Sequence, residues 1–245
     1  MKSLIYASTL FAALATLSPV KAADLAPPMP TKAPPMAPTY TWQGFYFGAN
    51  GGVTWGRSCW SFVDTVPAGL GGPPAAEGCH DPVGGIVGGQ IGYDWQLGGW
   101  VFGLEAQGDW ADARAQNVSL PFPTTSNRTH MDGLGLLTGR LGYAWGPTLL
   151  YAKGGAAVVH NDYDFFGTLF GAPVSGSASA TRWGGTIGGG LEYKFTQNWS
   201  AAIEYNYIAL NRSQLTFATS LGVSSIEDIS QNVSLVTARV NYSFP

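Results

Sequence analysis

Residues 100–110 read WVFGLEAQGDW, and this stretch decides the fold. Trp100, Phe102, Leu104, Ala106 and Trp110 share one phase of a two-residue period, while Glu105, Gln107 and Asp109 take the other. Successive strand side chains point to opposite faces, so the stretch is a β-strand with one aromatic face and one charged face. On a helix the same residues would spread around the whole circumference. Residues 182–195 repeat the arrangement, with Trp183, Ile187, Leu191 and Tyr193 opposing Arg182, Glu192 and Lys194.

Working outward, period-two segments lie near 44–55, 83–95, 100–110, 133–145, 149–160, 182–195, 199–208 and 232–244. One phase per segment places every aromatic except Tyr46 and Tyr151 with the apolar residues. Asp94, Glu105, Asp109, Arg140, Lys153, Arg182, Glu192, Lys194, Glu204 and Arg239 all take the opposite phase. Three connections are short (Gln-Leu-Gly-Gly after Trp95, Gly-Pro-Thr after Trp145, Thr-Gln-Asn after Phe195). The other gaps, 56–82, 111–132, 161–181 and 209–231, are long. Short turns at one end and long loops at the other predict an all-β, eight-stranded antiparallel up-and-down transmembrane barrel over residues 42–245, with four long extracellular loops.

A soluble lipocalin-like barrel shares that topology, and the polarity of the faces decides between them. Charged residues make up 11% of the 245-residue chain, against roughly 25% ordinarily. A small lumen cannot hold so many aromatics, so the apolar face is the outer one and meets lipid. Trp95, Trp100, Trp145, Trp199 and Phe244 gather at the short-turn end, and Trp55, Trp110 and Trp183 at the long-loop end. These are the interfacial girdles expected where amphipathic rings meet headgroups. The glycines at 84–92 and 184–190 suit the curvature of a narrow barrel.

The N-terminus sets the compartment. Lys2, an apolar run from Leu4 to Leu17, and Ser-Pro-Val-Lys-Ala ending at Ala22 make a secretory signal peptide over 1–22. Residues 23–41 are Pro-rich and aperiodic, a periplasmic tether. Cys59 and Cys79 lie in one Gly/Pro-rich stretch and are expected to bridge after export. Metal ligation is the competing reading, but two thiols beside His80 match no common zinc spacing. With Lys+Arg 12 against Asp+Glu 15, no basic surface for nucleic acid exists, and no cofactor motif is present. The glycine clusters lack the following helix that a dinucleotide site needs.

The stretches GFYFGANGGVTWG, GGIVGGQIGYDWQ, VFGLEAQGDW, GRLGYAWGPTLLYAKGGAAV, GGTIGGGLEYKFTQNWSAAIEYNY and VTARVNYSFP resemble the small outer-membrane immunogenic proteins of Gram-negative bacteria, porin-like relatives of OmpA-type eight-stranded barrels. The resemblance covers the mature chain, and its motifs mark a scaffold rather than an activity. It implies an integral, surface-exposed envelope protein of structural role, in contact with outer-membrane lipids and lipopolysaccharide. It also implies an assembly signal, read by the barrel-assembly machinery, at Tyr242 and Phe244; the chain departs from the pattern by ending in Pro245.

The expected barrel-interior network is Glu105, Arg140, Arg182, Glu192, Glu204 and Arg239, pairing across a lumen about wide enough for side chains. Such pairing makes a plug; a narrow porin-like channel is the alternative. A lipid-modifying enzyme is a further alternative, but only His80, His130 and His160 offer a base and no nucleophile stands at a defined offset. No catalytic, metal or cofactor residue is assigned. Host or small-molecule binding is expected of the long loops, which carry Phe62, Leu70, Phe122, Phe165, Phe166, Phe170 and Phe217.

Overall fold

A computed structural model describes residues 40–244 apart from 70, 71, 170, 221 and 223. The expected signal peptide, nearly all of the tether, Pro245 and two of the loop residues, Leu70 and Phe170, lie outside the described residues. Alternation becomes strand along most of the described chain: β1 (Gly44–Val66), β2 (Ala75–His80), β3 (Val83–Leu97), β4 (Trp100–Val118), β5 (Thr125–Trp145), β6 (Thr148–Leu169), β7 (Ala172–Lys194), β8 (Trp199–Leu210), β9 (Ser213–Thr219) and β10 (Ser224–Ser243). All pairings are antiparallel between neighbours, and β1 pairs β10 from Tyr46↔Ser243 to Val66↔Ser224, which closes the sheet into a ring.

Ten strands stand where eight segments were expected. β2 and β3 both pair β1, one after the other along its length, and are separated by Asp81 and Pro82. β8 and β9 likewise follow each other between β7 and β10, interrupted at Asn211 and Arg212. Proline carries no amide donor for the ladder, which accounts for the first break.

The expected long loops are a second correction. Residues 56–66, 111–118, 125–132, 161–169, 172–181 and 224–231 continue the strands. Beyond Trp110 and Trp183 the polarity of the outer face inverts. Asp112, Arg114, Asp162 and Asp164 point outward while Met131, Tyr163 and Ile229 point in. A bulge between Met131 and Gly133 also shifts the phase of β5. Hydrophobic alternation reverses there while the pleat continues.

Inside, side chains stack in layers. Trp42, Val101, Leu149 and Tyr151 close the short-turn end. Ionic groups follow, then an apolar band with Leu134, Leu136, Ile208 and Leu235, then an aromatic cluster of Trp60, Tyr163, Phe217 and Ile229 at the far rim.

Candidate functional site

The interior ionic layer is built from two matching rows. Tyr46, Gly92 and Glu105 are register partners across β1, β3 and β4. Tyr151, Gly190 and Glu204 are register partners across β6, β7 and β8. In each row the tyrosine lies flat over the glycine and its hydroxyl donates to the glutamate at 2.7 Å. A methyl group on Gly92 or Gly190 would collide with that tyrosine ring, so glycine is required by the close approach. Tyr46 and Tyr151, the two aromatics that broke the phase of their strands, therefore face inward because they have a polar partner there.

Two cations join the rows. Lys153 Nζ reaches Glu105 at 2.9 Å and Glu204 at 2.7 Å. Arg239 reaches Glu105 at 2.6 Å through one nitrogen and Glu204 through the other. Each glutamate thus meets both cations and a phenol, and all of these side chains are buried. A second cluster lies alongside: Arg140 pairs with Asp94 and, at 3.3 Å, with Glu192, while its guanidinium covers the Tyr46 ring at 4.6 Å. Glu192 also accepts from Ser200 and from Asn241.

Five of the six expected network residues meet in this layer. Arg182 does not. It sits at the level of the aromatic rim cluster, donating to Tyr163 Oη at 3.2 Å, Gln231 at 3.3 Å and the carbonyls of Ile229 and Asn211. Two strand residues outward of Gly184, it lies past the apolar band, and no ion pair joins it to a carboxylate among the described residues. Asp94, Lys153 and the two tyrosines were missed as members; their inward phase was the available signal. Lys194 caps the short-turn end, donating to the Thr41 carbonyl at 2.6 Å over the Trp42 ring.

At the rim, β2 is fastened on both faces. The Cys59–Cys79 disulfide joins directly opposed residues of β1 and β2. Inward, His80 meets Asn117 Oδ1 through Nδ1 (2.6 Å) and Thr129 Oγ1 through Nε2 (2.8 Å). Asn117 uses its amide nitrogen on the carbonyls of Glu77 and Val118. Its oxygen is therefore the acceptor, so Nδ1 carries the hydrogen and Nε2 accepts from Thr129. The Thr129 oxygen in turn accepts from Trp60 Nε1 at 3.3 Å. Burial holds the His80 pKa below the usual imidazole range, outweighing the raising effects of Asn117 and Asp81. His130 lies on the outer face of β5 against Asp112 at 3.1 Å, and His160 on the outer face of β6 against Thr181 at 2.9 Å.

The chain matches the family described as outer membrane protein beta-barrel domain over residues 10–244. The chain belongs to this outer-membrane β-barrel family. It is 30% identical over the whole of both chains to the 31 kDa outer-membrane immunogenic protein of Brucella melitensis biotype 1. It is 28% identical to the 22 kDa outer membrane protein of Rhizobium leguminosarum bv. viciae, over 71% of this chain and 66% of that one. Among solved structures it is similar to the attachment invasion locus protein of Yersinia pestis, at 14% identity and a TM-score of 0.40, covering 82% of this chain and 99% of that one.

As an outer-membrane β-barrel of this family the protein resides in the outer membrane, and its outer face shows how. Trp55, Trp95, Trp100, Trp110, Trp145, Trp183, Trp199 and Phe244 are all exposed on the ring, Trp110 at 76%. Leu104, Ile187, Leu191 and Ile203 fill the apolar band between the girdles. Tyr242 packs edge-on against Trp199 (5.1 Å) and Phe244 (5.0 Å) at the short-turn end of the closing strand. Phe62 and Phe217, expected in exposed loops, are buried in the rim instead; Phe122 packs edge-on against Phe62 at 6.1 Å.

Proposed function

We propose that the protein is a closed structural barrel of the outer membrane, eight strand positions around with two of them broken, that stiffens the envelope and raises a folded rim above it. The observation that carries this reading is the doubled Tyr-Gly-Glu row bridged by Lys153 and Arg239, which fills the lumen at mid-membrane height. Breaking one partner of such a buried network leaves an unpaired charge, so the network favours staying shut. Its surroundings are outer-membrane lipid and lipopolysaccharide against the girdles, and its assembly signal is Tyr242 and Phe244. Any host or small-molecule ligand would meet the outer face of the extended strands and the short turns left at their tips. Planar-bilayer recording of the purified protein tests the closed lumen: no stable openings are expected, and steady unitary currents would establish the channel reading instead.

The hydroxyl–imidazole–amide chain of Thr129, His80 and Asn117 has the order of a hydrolytic triad. Thr129 is fully buried and its oxygen already accepts from Trp60, so no carbonyl carbon has an approach. We read it as a fastening of β2 rather than as a catalytic site.

A further inference from the structure

The break between β8 and β9 has no proline to explain it. β10 pairs β8 as far as Asn232↔Ala209 and resumes with β9 at Ile229↔Ser213, so the ladder is interrupted at Ser230 and Gln231. The turn is pinned from inside the ring: Arg182 donates to the Asn211 carbonyl, and the Asn211 amide donates to the Trp183 carbonyl at 3.1 Å. At the break lies a cavity of about 260 Å³ whose walls include Arg57, Tyr207, Arg212, Ser230 and Asn232. Its chemistry is one-sided. Two exposed guanidiniums, a phenol, a hydroxyl and an amide line it, with no carboxylate among the described lining residues. None of these five side chains makes a hydrogen bond or ion pair with the described residues, and Asp81 and Asp228, on neighbouring stretches, pair with neither arginine. The other arginines are all engaged: Arg114 meets Asp112 at 2.8 Å, Arg128 covers the Phe166 ring at 5.1 Å, and Arg140, Arg182 and Arg239 are buried in the interior.

We propose that Arg57 and Arg212, with the neutral donors around them, bind a phosphate monoester on the headgroup of an outer-leaflet lipid. The inference rests on the reading that lipopolysaccharide surrounds the girdles, and it names the place where the barrel grips it. A guanidinium presents a planar fork of donors that matches phosphate oxygens in pairs. A phosphate monoester offers three acceptor oxygens and a charge approaching two, so it occupies both arginines and leaves oxygens for Tyr207, Ser230 and Asn232. The cavity far exceeds the roughly 30 Å³ that one water takes in the liquid, which leaves room for the phosphate with part of its hydration. Height selects a lipid over a free anion of the same chemistry. Trp55 of the long-loop girdle stands two residues below Arg57 on the outer face of β1, about 7 Å along the strand. Its ring packs against Tyr205 at 6.4 Å, and Tyr207, itself a wall of the cavity, is the next outward residue of β8. Aromatic rings of this kind mark the headgroup level, where lipid phosphates are concentrated and a soluble anion is not.

The test uses the folded mature protein in a phosphate-free alkyl glucoside detergent and counts bound lipid by native mass spectrometry. The probes are diphosphorylated lipid A, the same lipid stripped of its phosphates, and inorganic phosphate. Saturable retention of one lipid A per barrel is expected, with the stripped lipid held far more weakly. Arg57→Gln with Arg212→Gln is expected to weaken retention by roughly tenfold or more. Each single change should weaken it by a smaller factor, which keeps the test open to a folding defect in the double variant. Lysine at both positions, which keeps the charge and loses the fork, should fall between. Arg114→Gln, an exposed arginine outside the cavity, should retain lipid A in full. Retention that survives the double glutamine change, or falls equally in Arg114→Gln, overturns the site and leaves the general lipid contact standing. Failure of the unaltered protein to retain lipid A overturns both. Displacement of lipid A by inorganic phosphate at millimolar concentration shows a soluble-anion site and overturns the lipid assignment.

Discussion

At the scale of single residues, the departures from pattern carried the information. Tyr46 and Tyr151 sit on the wrong phase for a membrane-facing ring, and the structure gives the reason: each hydroxyl has a glutamate within 2.7 Å and each ring has a glycine beneath it. Neither partner is adjacent in sequence, so the pairing was illegible until register was known. His80 was likewise legible only as a loop histidine beside the two cysteines. Its hydrogen bonds require the neutral ring, since protonation of Nε2 removes the acceptor that Thr129 uses. The folded pKa lies below the unfolded value, so in the interval between them the unfolded chain binds more protons. This stability is present above about pH 6.5 and is lost as pH falls. The protection factors of the β2 amides, observed exchange divided into the intrinsic rate at each pH, should therefore fall from pH 8 to pH 5, by at most about 1.4 kcal/mol of protection per pH unit. His80→Gln, which does not titrate, should flatten that dependence; an equally steep profile in the variant would show that another group governs the rim.

At the scale of elements, the membrane-embedded parts of the strands were legible to within a few residues, and their extensions were not. Hydrophobic alternation reports which face meets lipid. Beyond Trp110 and Trp183 the solvent changes, Arg114 and Asp162 take the outward positions, and the bulge at Met131 and Gly133 breaks the count. A reader of alternation sees the signal dissolve exactly where the strand continues, and names a loop. Cys59 and Cys79 marked the region correctly but not its form: they staple a strand, not a loop. Their separation of 20 residues corresponds to about 3 kcal/mol in the chain-entropy account. The double replacement Cys59→Ser with Cys79→Ser should therefore raise exchange in β2 while β3, held by β4 along its whole length and by β1 from Val83 to Asp94, keeps its protection. Equal loosening of β2 and β3 would show that the bridge stabilises the ring as a whole.

At the scale of the molecule, the question is what the buried charges contribute to a barrel whose backbone is already paired in a closed ring. The ring satisfies its own amides, so the ionic layer is not needed to form the sheet. What it adds is a single filled interior: Lys153 and Arg239 each touch both Glu105 and Glu204, and those two glutamates stand on strands far apart around the wall. Removing one member and removing the whole set should thus differ in sign. Arg239→Met leaves two carboxylates sharing Lys153 and should destabilise the barrel by about 3–5 kcal/mol. Adding Glu105→Gln, Glu204→Gln and Lys153→Met to it removes every stranded charge and should recover most of that loss, because replacing a complete buried network is often neutral or stabilising. Urea unfolding in lipid vesicles, followed by tryptophan fluorescence, measures both. Recovery in the fourfold variant would mean that the charges keep the lumen shut rather than hold the fold together. A fourfold variant no more stable than Arg239→Met would mean that these ion pairs bind opposite walls of the ring and belong to its stability.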